Sequence, residues 1–133
     1  MIQITINDQV YETPAGWTIL EACREYGIPI PTLCYHPALA PYGACRLCMV
    51  ELNQPTRPAR LVAACIYPCE QGLNIQTHSP AVLHNRQMMA ELLLAGAWNS
   101  PEIAALAESL AVTQVRYRLP EVDLCVLCLL CVR

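Results

Sequence analysis

Cys34-Tyr35-His36-Pro37, then Gly43-Ala44-Cys45-Arg46-Leu47-Cys48-Met49-Val50-Glu51, then Ala64-Cys65, are the stretches on which the reading of this chain turns. The first begins inside residues 28–43, a segment with four prolines and no apolar periodicity. A loop of that length persists in a compact domain only when something organises it. The cysteines follow as Cys34-x10-Cys45-x2-Cys48-x16-Cys65. The close pair sets two thiols on one tight turn, and flanking segments supply two more.

Upstream, Ile2 to Ile6 alternates apolar and polar residues, Asn7-Asp8 is turn chemistry, and Gln9 to Glu12 resumes an extended pattern, which predicts a β-hairpin. Thr18-Ile19-Leu20-Glu21 is a capping box that opens a helix. Ile19, Leu20, Cys23 and Tyr26 recur at helical spacing and are expected to face the sheet, with Gly27 and Pro29 ending the helix. Downstream, Arg46 to Leu52, Arg60 to Ala64 and Leu73 to Thr77 read as short strands. The sum is an α+β domain over residues 1–78, a small mixed sheet with one helix packed across it. Ser79-Pro80 and Ser100-Pro101-Glu102 each pair an N-cap with a proline at the first helical position. They predict a helical hairpin over residues 79–112, with Gly96 closing its first helix and Ile103, Leu106 and Leu110 striping its second. Residues 113–133 form a tail that carries Cys125-x2-Cys128-x2-Cys131.

A chain of 133 residues supports one core of modest size with an appendage. Its 55% apolar and 14% charged residues leave little charge for a free surface, so a partner is expected to cover part of it. A net charge of -3, with eight scattered Lys and Arg residues, argues against nucleic acid as a ligand. The alternating start does not read as a signal peptide. No apolar run approaches the roughly 20 residues of a membrane span, the longest being Leu124 to Val132. Nine cysteines in such a chain predict a reducing, cytoplasmic setting in which thiolates bind metal. No nucleophile-base pair, glycine-rich phosphate loop or acid-base dyad is visible, so a non-catalytic component is expected.

Four thiolates gathered by an irregular loop suit a [2Fe-2S] cluster, two to each iron. Backbone freedom at Gly43 and Ala44 would let amide N–H groups approach the sulfurs, and such donors stabilise the reduced cluster. A structural zinc site also accepts four cysteines, usually from two close pairs. Only one pair is close here, which favours iron and leaves zinc open. Cys69, four residues past Cys65, is a rival for the fourth position. Cys23 falls on the apolar face of the first helix, as a small core residue. Cys125, Cys128 and Cys131 match the opening of the bacterial ferredoxin run C-x2-C-x2-C-x3-C-P, whose fourth cysteine would fall two residues beyond Arg133. They are read as an incomplete [4Fe-4S] or [3Fe-4S] site, as part of a longer two-cluster protein, or as an apolar tail docked on a partner.

The three quoted stretches, with Pro68 and Gly72, resemble the N-terminal [2Fe-2S] ferredoxin domain of the large iron-sulfur subunit of respiratory complex I. The same domain begins the diaphorase subunit of NAD-linked hydrogenases and the electron-input end of iron-only hydrogenases and NAD-dependent formate dehydrogenases. The resemblance covers about residues 1–77. It implies a β-grasp fold and carries the cluster ligands over to Cys34, Cys45, Cys48 and Cys65, with the Ala64-Cys65 position preferred to Cys69. It also implies an electron-transfer subunit that relays single electrons between a flavoprotein NAD(P)H dehydrogenase subunit and a further redox subunit. Two departures stand out. Complex I subunits continue with a His-x3-Cys-x2-Cys motif, whereas no cysteine lies between Cys69 and Cys125, so His78 and His84 are not assigned as ligands. Relatives also tend to carry Gly where Leu129 stands. The rival readings are a free-standing ferredoxin shuttle, for which a strongly acidic surface is expected, and a zinc-stabilised interaction module. A partner is expected on the helical hairpin, around Met88, Met89 and Leu92 to Leu94, and on the tail.

Overall fold

The computed structural model describes residues 1–120 and 125–133. Strands β1 (Ile2–Ile6) and β2 (Gln9–Thr13) form the antiparallel hairpin, with Ile6 opposite Gln9. A two-residue connection of this register demands positive φ at both turn positions, and Asn7 (49°) and Asp8 (66°) supply it. Helix α1 (Ile19–Glu25) follows, with the expected box closed in both directions: the Thr18 amide donates to Glu21 Oε2 at 2.7 Å, and the Glu21 amide donates to Thr18 Oγ1 at 3.3 Å. Strands β3 (Met49–Gln54), β4 (Arg57–Ala63) and β5 (Asn74–Gln76) complete a five-stranded mixed sheet in the order β2-β1-β5-β3-β4. The parallel pairing of β1 with β5 lies at its centre. This is the β-grasp arrangement, with α1 gripped across the sheet.

Alternation in β1 turns Ile4 and Ile6 inward, and Val50, Leu52 and Ile75 do the same in β3 and β5. Ile19, Leu20, Ala22 and Cys23 of α1 close over them. Tyr26 departs from the expected apolar stripe: it is exposed, stacks on Tyr11 with ring centroids 4.5 Å apart, and its hydroxyl donates to the Glu12 carbonyl. The last turn of α1 has passed the edge of the core, so the ring pins the helix to β2 from outside. The strand expected from Arg46 begins only at Met49, because Arg46 takes a φ of 57° and Leu47-Cys48 form a turn.

Helix α2 (Pro80–Gly96) and helix α3 (Pro101–Ser109) form the expected hairpin, with Ser79 and Ser100 accepting from the amides of Val82 and Ile103. Ala90, Leu94, Ala97, Ile103 and Ala107 make a second, smaller core. Leu33 from the cysteine loop and Val126 from the tail pack against it, so hairpin, loop and tail share one interface. Leu124, where the apolar run of the tail begins, lies outside the described residues. No helix among the described residues is long and apolar enough to cross a membrane.

Removing the Thr18 hydroxyl in Thr18→Ala is expected to cost about 1 kcal/mol, and Leu52→Ala, which empties a fully buried site, about 2–5 kcal/mol. Denaturant midpoints of the two variants should rank in that order.

Candidate metal centre

Four short devices converge on the four cysteines. The α1 amides of Leu20 and Ile19 donate to the carbonyls of Ala64 (2.9 Å) and Tyr67 (3.0 Å), so the start of the helix grips the turn that carries Cys65. The Ala64 amide donates to the Cys48 carbonyl at 3.1 Å, which joins the Cys65 turn to the Cys48 turn. Arg24 of α1 lies over the Tyr35 ring at 4.4 Å and steadies the segment after Cys34. Gly43, at φ 69°, passes close under Ile66: a Cβ there would sit 3.0 Å from Ile66 Cδ1. Its small size and left-handed backbone let the two arms of the loop close.

The thiols that result associate two and two. Cys45 and Cys34 share one contact, the Cys45 amide donating to Cys34 Sγ at 3.5 Å. Cys48 and Cys65 form the other pair, in which the neighbouring Cys65 pulls Cys48 down to about 6 while Cys65 itself is pushed up. Burial raises Cys65 further, and so do the negative charges of Cys48, Cys34 and Cys45. Burial likewise raises Cys45, against donation from the amides of Leu47, Cys34 and Leu33. Amides of Cys65, Cys48 and Ala64 serve Cys48 in the same way. Backbone amides thus lower Cys45 and Cys48, but they are not those of Gly43 and Ala44, from which the sequence led us to expect donors. The donors come from the ligand-bearing turns themselves, while Gly43 provides room.

Among the described residues no group of three or more Cys, His, Asp or Glu side chains is drawn together closely enough to hold a metal ion. Four thiols in two pairs could hold a binuclear centre with two ligands per iron. Cys34, Cys48 and Cys65 are buried and Cys45 is half-buried. Cys69 is also buried, but its neighbours are Cys23 and Glu21. Burial lifts it to about 11 and Cys23 to about 12, as expected of inert core thiols. His78 and His84 are both exposed.

Residues 1–80 match the family described as 2Fe-2S iron-sulfur cluster binding domain. The chain belongs to that family. Among curated relatives of this 2Fe-2S domain, an NADH-quinone oxidoreductase subunit of Rhizobium meliloti is 39% identical over 95 residues, which is 71% of this chain and 11% of the relative. The 78 kDa subunit of the mitochondrial NADH-ubiquinone oxidoreductase of Neurospora crassa is 35% identical over 94 residues, 71% of this chain and 12% of the relative. The chain thus spans only about a tenth of such proteins. A chain in the crystal structure of an NAD+-reducing [NiFe]-hydrogenase in the H2-reduced state superposes with a TM-score of 0.82 at 29% identity, covering 98% of this chain and 64% of that one.

Beyond the 2Fe-2S domain, the tail returns to the cluster loop, which sequence patterning did not foretell. Arg116 donates to both carboxylate oxygens of Glu91 on α2, with Nη2 to Oε2 at 2.8 Å, and the Leu119 amide donates to Ala95 O at 2.9 Å. At the far end Arg133 donates to the carbonyls of Cys34 and Ala40 and lies over Tyr42. Val126 and Leu127, with Met89, Leu92 and Leu93, wall a cleft of about 230 Å³ beside Ala44 and Cys45. Cys128 is half-buried, while Cys125 and Cys131 are exposed. Leu129 has a φ of 61°.

Gly43→Ala should destabilise the chain by more than Gly27→Ala does. Both backbones have positive φ, worth about 1–2 kcal/mol for a side chain, but only at Gly43 does the new Cβ meet a neighbour; thermal unfolding of both variants checks this. Hydrogen bonds from Arg116 hold the Glu91 carboxyl below its ordinary value of 4.5. Their contribution is complete above that value and fades as pH falls through the depressed one. Limited proteolysis within residues 112–120 should accelerate in that acidic range, and Glu91→Gln should bring the acceleration to neutral pH.

Proposed function

We propose that Cys34 and Cys45 bind one iron, and Cys48 and Cys65 the other, of a [2Fe-2S] cluster, and that the chain relays single electrons through it. The two-and-two arrangement of the four thiols, three buried and one half-buried, carries this reading. Four thiolates with amide donors around them can hold two ferric ions and absorb one electron with little movement, because rigid turns bear every ligand. When bound, the cluster supplies the one-electron chemistry. The protein supplies position, exclusion of water and the charge environment.

Membership of the 2Fe-2S family, together with likeness to NADH-quinone oxidoreductase and NAD+-reducing hydrogenase chains, supports a place in a multi-subunit oxidoreductase of that type. In that setting a flavoprotein that oxidises NAD(P)H delivers electrons and a further redox subunit receives them, in the cytoplasm. Cys125, Cys128 and Cys131 are proposed as part of a second cluster, [4Fe-4S] or [3Fe-4S], whose remaining ligand comes from outside the described residues. The return of the tail to the cluster loop would set that centre close to the first.

Anaerobic reconstitution of the full chain with iron and sulfide tests both parts. Serine at Cys34, Cys45, Cys48 or Cys65 should abolish or alter the red-brown visible absorbance, while Cys23→Ala and Cys69→Ala should preserve it. A colourless, zinc-filled protein would establish the interaction-module reading instead. Iron content above about two per chain, falling to about two in a Cys125→Ala/Cys128→Ala/Cys131→Ala variant, is the outcome expected of the tail site. Isolation of the native assembly should recover a flavoprotein; a chain recovered only as a monomer would favour a shuttle.

A further inference from the structure

Arg86 is the one guanidinium buried among the described residues. It lies on α2, one turn from Val82 and one from Ala90, both fully buried, and is itself only 3% exposed. Its Nη2 donates to the Met49 carbonyl at 3.1 Å, immediately after Cys48. Its Nε is buried with no hydrogen-bond acceptor among the described residues. No carboxylate among the described residues lies within salt-bridge distance of it either; the ion pair found there joins Arg116 and Glu91. The acidic groups that act on it are thiols: Cys48 first, then Cys23.

A buried cation without an anion is strongly unfavourable, and a buried N–H without an acceptor adds to the penalty. Both deficits have the same remedy. A [2Fe-2S] cluster on four thiolates is negative and becomes more negative by one unit on reduction, and its sulfurs accept hydrogen bonds. We propose that Arg86 is a potential-setting residue, whose fixed positive charge behind Cys48 favours the reduced cluster and raises its reduction potential. Arginine suits this position because it stays charged when buried, whereas burial readily neutralises lysine. The side chain also ties α2 to β3, so the helical hairpin and the redox centre share one residue. This inference rests on the [2Fe-2S] reading of the four cysteines.

The experiment is a potentiometric titration of the reconstituted full chain, followed by low-temperature paramagnetic resonance. A wild-type cluster signal is the precondition, and its absence would defeat the [2Fe-2S] reading itself. With that signal present, Arg86→Gln should lower the midpoint by about tenfold in the one-electron equilibrium, about 59 mV. Arg86→Lys, whose charge burial tends to remove, should recover only part of the shift. A residue with only a packing role would change cluster yield and leave the midpoint of the loaded fraction where it was. An unchanged midpoint in Arg86→Gln overturns the proposal. Should that variant fail to load, Arg86→His decides between pH of about 6 and 8.5, across which imidazole loses its charge. A midpoint that falls as pH rises, or stays low throughout, supports the role of charge. A flat midpoint at the wild-type value contradicts it.

Discussion

Four acidic thiols forced into one buried site repel one another, and the rest of this structure is arranged around that repulsion. The neighbours of Cys65 oppose its ionisation, while Cys65 and the surrounding backbone amides favour that of Cys48. Without cations between them the four can share charge but cannot all carry it. A cluster held by Cys34, Cys45, Cys48 and Cys65 would give every thiolate a counter-charge and the prolines of residues 28–43 a centre to fold around. Metal binding and loop folding are then one process. A segment so poor in regular structure can stand in a compact domain for that reason.

Each neighbouring element limits the freedom of the loop. The capped start of α1 spends two free amides on the Cys65 turn, and the Ala64 amide ties that turn to Cys48. Gly43 lets the opposite arm pass under Ile66. The tail closes the remaining side, where Arg133 reaches the carbonyls of Cys34 and Ala40. A cluster held from four directions at this site would change its charge with little reorganisation, the physical requirement of the relay proposed above. The covering by α2, α3 and the tail also accounts for part of the apolar excess in the composition, since Leu33, Leu94, Ile103 and Val126 pack there.

Much of this was legible in the residues. Alternation, the Asn7-Asp8 turn and the Thr18-Glu21 box locate the hairpin and α1 because those signals are local. The spacing of Cys34, Cys45, Cys48 and Cys65 points to a candidate site because metal ligation constrains both residue type and separation. Spacing alone left Cys69 as a rival for Cys65; in the structure Cys69 neighbours Cys23 and Glu21, which a count of intervening residues does not reveal. Tyr26 fits a helical stripe on paper, but α1 ends at the margin of the sheet, and where a helix runs out of core is a tertiary fact. The return of the tail rests on single long-range bonds from Arg116 and Arg133, which leave no periodic trace. Arg86 did leave a trace: an arginine in register with Val82 and Ala90 on the apolar stripe of α2 is an anomaly that calls for a buried anion.

Spin quantitation of the reduced, iron-loaded chain at low temperature tests the central claim most directly. One electron shared by two irons should yield a rhombic signal of about one unpaired spin for about every two irons in the β-grasp domain, with Cys125, Cys128 and Cys131 replaced so that the tail contributes nothing. An iron-loaded sample that takes up no electron and shows no such signal would contradict the account.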